Sequence, residues 1–247
     1  MYASFVPFPR IRKSINIQGP VVSLGYKTEP GVKPMRPETS AIAYAPCATS
    51  LLTPSNCLLM LIDFQQDGFL AVESIDHRTL LENALGLANA ALIFDIPVLI
   101  TTMASAFAGP LLHRLDELFP EKEALERTTM NPWEDAKVYA AIQKGNRRKL
   151  VFAGLWTENC VTLPALSALQ CGYDVYVIVD ACGGLSAVGH DMAVLEMIQA
   201  GVVPLSWQGF MLEMQRDWTR RETAERVVET ARRHREALGQ VFPSFHQ

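Results

Sequence analysis

The chain has 247 residues, 49% of them apolar, with 22 basic against 26 acidic residues and a formal net charge of −4. That length allows one large α/β domain or two small ones. The mixed charges exclude a nucleic-acid face, and no apolar stretch reaches the ~18–20 residues that a membrane span needs.

Residues 1–50 carry seven prolines, at 7, 9, 20, 30, 34, 37 and 46, which interrupt every possible helix. The segment has no acid before Glu29 but holds Arg10, Arg12, Lys13 and Lys27, the charge bias of an organelle-targeting leader. Its prolines spoil the amphipathic helix of such a leader, so it is expected to be an extended or partly disordered arm. Five cysteines (47, 57, 160, 171 and 182) form no CxxC pair. They argue against a secreted disulfide framework and a structural zinc site, and fit a reducing, cytoplasmic compartment.

From residue 56 onward strands and helices alternate. CLLMLID (57–63) reads as a strand buried on both faces. Residues 77–94 place Leu80, Leu81, Ala84, Leu87, Ala88 and Ala91 at helical spacing. IPVLITT (96–102) is a second strand, and 110–119 a short helix stopped before Pro120. A helix over 133–144, a strand over 148–155, and a helix over 159–171 ended by Gly172 follow. A strand at 174–180, a helix at 187–200 closed by Gly201, and a strand at 202–207 come next. Helices at about 209–216 and 220–238 finish the chain, the last with a narrow stripe of Ala224, Val227, Val228, Ala231 and Leu238. This alternation predicts a three-layer α-β-α fold with a mostly parallel, Rossmann-like sheet. The expected division is an arm over 1–50, a domain over 51–218, and a C-terminal helix and tail over 219–247.

In such sheets ligands bind beyond the carboxyl ends of the strands. The residues to read are therefore 63–65, 101–103, 156–160 and 180–184. Cys160 falls in the first turn of its helix, where free amides and the helix dipole favour an anion. An unperturbed thiol is only about 3% ionised at neutral pH, and lowering its pKa to about 6.5 takes roughly 2.7 kcal/mol. A helix end supplies about 0.3–1 kcal/mol, at most around 2, so a cation is wanted nearby. The plainer reading is a small thiol packing the strand–helix junction.

Asp63 ends a very apolar strand, which is costly unless it is hydrogen-bonded, paired or solvated. It reads either as a general base or as a cap of the next turn. Arg127 sits in a polar stretch between apolar elements, as a site cation or as a surface arginine. Trp133 and Trp156 suit aromatic pocket walls with Asn131 as a polar pin, and Gln65 either a polar wall or a loop support. DACGGLSAVGHD (180–191) has glycines where phosphate can bind, but fits neither GxGxxG nor a P-loop. A flavodoxin-like nucleotide- or phosphate-binding protein is therefore an alternative.

Four segments carry a resemblance: LIDFQQ (61–66), RTTMNPWED (127–135), VFAGLWTENCVTLPALSALQCGYDVYVIVDACGG (151–184) and GFMLEMQRDW (209–218). Over about residues 50–220 the chain resembles the isochorismatase-like cysteine hydrolases, most closely the YcaC-like branch. The resemblance implies an Asp-Arg-Cys triad of Asp63, Arg127 and Cys160, with arginine where most of the superfamily has lysine. It implies a cis peptide at Leu155–Trp156 and an oxyanion hole from the backbone amides of Trp156 and Cys160. The implied activity is hydrolysis of a small amide or related C–N bond through a thioester, by a homo-oligomer. A catalytically silent oligomeric scaffold is the other alternative. Nicotinamidases of this superfamily hold a metal with an Asp-x-His pair after the second strand, whereas TTMASAFAGP (101–110) has neither residue. The five histidines (77, 113, 190, 234 and 246) lack metal-ligand spacing. No metal and no cofactor are expected. The expected partners are a small-molecule substrate and further copies of the chain, with no nucleic acid and no membrane.

Overall fold

The molecule is described from a computed structural model over residues 51–234. The expected arm (1–50) and the end of the C-terminal tail (235–247) lie outside the described residues. The strands are β1 (Cys57–Ile62), β2 (Val98–Met103), β3 (Leu125–Arg127), β4 (Lys149–Leu155), β5 (Asp174–Gly183) and β6 (Val203–Leu205). They form one sheet in the order β3-β2-β1-β4-β5-β6, and every pairing in it is parallel. Parallel strands need crossover helices, and these cover both faces. The result is the expected three-layer α/β architecture.

The helices are α1 (Gln66–Leu70), α2 (His77–Ile93), α3 (Ser105–Ala108), α4 (His113–Asp116), α5 (Ala136–Gly145), α6 (Thr162–Gln170), α7 (Ala187–Ala200), α8 (Trp207–Gln215) and α9 (Arg221–His234). The central strand β1 is buried along its whole length, as its unbroken apolar run requires. Helix α2 starts on an Asp76 cap that accepts from the Thr79 amide, and packs on β5, α8 and α9. On α9 the stripe of Ala224, Val227, Val228 and Ala231 is buried. Leu238 lies outside the described residues.

Several boundaries differ from the sequence reading. Strand β3 has only three residues, too few for any period to show, and it exists because Leu125–Arg127 pair with Thr101–Met103. Strand β5 runs three residues further than expected, to Gly183, with its register against β4 shifting between Phe152 and Gly154. The helix expected over 110–119 shrinks to α4. Ser206 and Trp207, read as strand, instead cap and open α8, with the Ser206 hydroxyl accepting from the Gly209 amide.

Helices α2 and α8 approach closely at Gly86, where a Cβ would stand 2.7 Å from the fully buried Trp207 ring. The indole N–H of Trp207 donates to Asn83 Oδ1 at 2.9 Å, one turn before that glycine. Replacing Gly86 by Ala is expected to overpack this contact and lower stability by about 1–3 kcal/mol, measurable by urea unfolding, although alanine is the better helix former.

Candidate active site

At the carboxyl end of the sheet, β1, β3 and β4 deliver Asp63, Arg127 and Cys160 to one place. Asp63 follows β1 at a positive φ of 53°, a conformation aspartate tolerates better than most residues. Its Oδ1 accepts from Thr101 Oγ1 at 2.9 Å, and its Oδ2 accepts from Arg127 Nη2. Arg127 ends β3 with its side chain fully buried. Its Nη1 donates to the Thr129 carbonyl, while its buried Nε carries no hydrogen bond.

Gly154 in β4 lets that strand close on β1, since a Cβ there would lie 2.1 Å from the Ile62 carbonyl oxygen. This brings the following turn beside Asp63. The Leu155–Trp156 peptide is cis, as the resemblance implies. Residues Thr157–Val161 then form one turn of π-helix, and α6 begins only at Thr162. Cys160 therefore sits in a π-turn rather than in the first turn of an α-helix. It is 2% exposed, near enough to Asp63 and Arg127 for both charges to act on its ionisation.

Burial pushes the Cys160 thiol up to about 11; the neighbouring Asp63 adds to the rise and Arg127 opposes it. Burial also raises the Asp63 carboxyl, against the pull of Arg127 and the hydrogen bond from Thr101. The expected lowering of the thiol by a helix end and a cation is thus not met. The guanidinium is already committed to Asp63, and desolvation outweighs its remaining influence on the sulfur.

Asp63 and Cys160 open onto a cavity of about 30 Å³ walled by Gln65, Gly68, Met103, Ala108, Leu155 and Trp156. Gln65 is buried and held at both ends of its amide. Oε1 accepts from the Met103 amide at 2.7 Å, and Nε2 donates to the Gly109 carbonyl at 2.8 Å. It both walls the cavity and supports the loop. The Trp156 indole N–H donates to the Gly68 carbonyl at 2.9 Å, which fixes that wall.

Asn131 and Trp133 do not line this cavity. Asn131 caps the short 3-10 turn Pro132–Glu134 by accepting from the Trp133 amide, and donates to Ser167 and Glu134. Trp133 packs edge-on against Tyr139 and Tyr173 at 5.3 and 5.5 Å. The turn carries the aromatic ring onto α5, away from the thiol. Thr101, Met103 and Ala108 do contribute to the site, without a role assigned from sequence. Their one signal was position, with Thr101 and Met103 at the carboxyl end of β2 and Ala108 just beyond it.

The glycine-rich segment 180–191 offers little to a phosphate. Its Gly184, Leu185 and Gly189 amides donate to Ser74 Oγ, Glu158 Oε1 and Ser186 Oγ at 2.8, 2.8 and 3.0 Å. His190 Nδ1 lies 2.8 Å from Thr157 Oγ1 and so braces the turn that carries Cys160. Cys57 and Cys182 are fully buried, and burial pushes both thiols up to about 12, whereas Cys171 is exposed. Among the described residues no group of three or more His, Cys, Asp or Glu side chains could hold a metal, and no helix is long and apolar enough to cross a membrane.

Residues 57–209 match the isochorismatase domain family. The probable hydrolase YcaC of Escherichia coli is 31% identical over 169 residues, covering 68% of this chain and 81% of that protein. The structure of YcaC from Pseudomonas aeruginosa with hexane-2,5-diol and covalent acrylamide superposes with a TM-score of 0.75 at 29% identity, covering 78% of this chain and 96% of that one. The E. coli YcaC structure, described as an octameric hydrolase of unknown specificity, superposes equally well, with a TM-score of 0.75 at 29% identity over 78% of this chain and 95% of that one.

The raised thiol has a direct consequence for labelling. Thiolate is the reactive form, and its fraction grows with pH until the pKa is passed. The rate of Cys160 alkylation by iodoacetamide, followed by peptide mass spectrometry, should therefore still be climbing at about pH 10. A plateau near neutrality would show a thiol already ionised.

Proposed function

Because the chain belongs to the isochorismatase family, we propose that it is a hydrolase that attacks a small amide or related C–N bond with the Cys160 sulfur. The observation that carries this reading is a buried thiol and carboxylate facing one small cavity, with a buried guanidinium paired to the carboxylate. Arginine keeps its proton at any accessible pH, so it orients and neutralises but does not shuttle. Asp63, which lines the same cavity as the thiol, is the proton acceptor.

In the proposed reaction the thiol proton passes to Asp63 as sulfur bonds to the carbonyl carbon. The backbone amides of Trp156 and Cys160 stabilise the oxyanion. The C–N bond breaks as Asp63 returns the proton to the leaving amine, which leaves a thioester. Water then cleaves the thioester, giving the acid and restoring the thiol. The P. aeruginosa YcaC structure carries covalent acrylamide, so a protein of this fold reacts with a compact molecule bearing an amide group. Gln65 belongs to this site as a wall and a brace, while Asn131 and Trp133 support the chain behind it.

Self-association belongs to the same reading. Helix α7 is mostly apolar, yet only Ala193 and Met197 of its 14 residues are buried. Val188, Met192 and Leu195 stand on one face and are 71%, 55% and 48% exposed. That face is the proposed contact between copies, and the octameric E. coli YcaC supports it.

Two measurements test the reading. Ammonia release from a panel of small amides should be abolished in Cys160→Ala; full activity in that variant would end it. Changing both Met192 and Leu195 to Glu should shift the light-scattering mass in solution toward the single chain, and an unchanged mass would remove α7 from the contact.

A further inference from the structure

Resting on the Cys160 reading, we propose that the site selects substrates by charge: it takes compact neutral carboxamides and rejects carboxylates of the same size. Room is the first constraint. A cavity of about 30 Å³ holds one or two waters, and so the head of a carboxamide and little else.

The wall supplies the second constraint. Gly68, Met103, Ala108, Leu155 and Trp156 bring no cation to it. The polar ends of Gln65 are taken by Met103 and Gly109, and the Trp156 indole N–H by Gly68. Arg127 lies behind Asp63 and is not among the lining residues. Its Nη1 and Nη2 are engaged by the Thr129 carbonyl and Asp63. A carboxylate entering here would lose its hydration and find no counter-ion, whereas a neutral amide needs none.

Charge balance supplies the third constraint. Asp63, Arg127 and Cys160 share one transferable proton. With the proton on sulfur the charges are minus, plus and zero; with it on the carboxyl they are zero, plus and minus. The sum is zero in both, so no spare positive charge remains, and the sulfur is negative when it attacks. Rejection by missing partners and like charges is the usual basis of such discrimination.

Iodoacetamide and iodoacetate test this directly, because they differ in the group that must enter the cavity. With each, an S–C bond forms, the C–I bond breaks with loss of iodide, and the thiol proton goes to solvent. Rates at about pH 9 are measured on the full chain by site-resolved mass spectrometry, with exposed Cys171 as internal reference and 2-mercaptoethanol as free thiol. The amide-to-acetate rate ratio at Cys160 should exceed the ratio for 2-mercaptoethanol by about tenfold or more, while Cys171 stays near the free thiol. Equal ratios at Cys160 and Cys171 would overturn charge selection and leave the nucleophile standing. A Cys160 inert to both reagents, with Cys171 labelled, would overturn the nucleophile assignment and this inference with it.

Discussion

A carboxylate and a guanidinium buried against each other govern this molecule. Neither Asp63 nor Arg127 tolerates its environment alone, because an unpaired buried charge is among the most destabilising features a fold can hold. Together they tie the end of β1 to the end of β3, across β2, whose Thr101 hydroxyl completes the carboxylate's hydrogen bonds. Three adjacent strand ends are thereby fixed in register. The outermost of them, β3, is only three residues long and has little else to hold it.

The same pair bears on the sulfur. In the proposed reaction a lysine in the arginine's place could give up a proton; the guanidinium cannot, so the proposed exchange is confined to thiol and carboxyl. Burial raises both groups, and the pull of Arg127 opposes the rise in each.

Much of this could be read from the residues. The run CLLMLID announces a doubly buried strand, and its terminal aspartate announces a paired or functional group. Cys160 after RKLVFAGL marks the carboxyl end of a neighbouring strand. What stayed hidden is long-range. Strand β3 carries no periodic signal because its partner makes it a strand. The π-turn at Thr157–Val161 depends on anchors from His190 of α7 and from Leu185 just before that helix. Asn131 and Trp133 lie close to Arg127 in the chain, but Pro132 opens a turn that directs them to Ser167 and Tyr173. Nearness in sequence to a site residue says nothing about which way such a turn faces.

Helix α7 touches two things at once. On its inner side His190 meets the Thr157 hydroxyl, while Glu158 holds the Leu185 amide just before the helix starts. On its outer side Val188, Met192 and Leu195 form an oily ridge open to whatever docks there. A docked neighbour would press on a rigid beam whose far side is clamped to the very turn that bears the sulfur. Any such load would reach the Cys160 turn through one imidazole and one carboxylate.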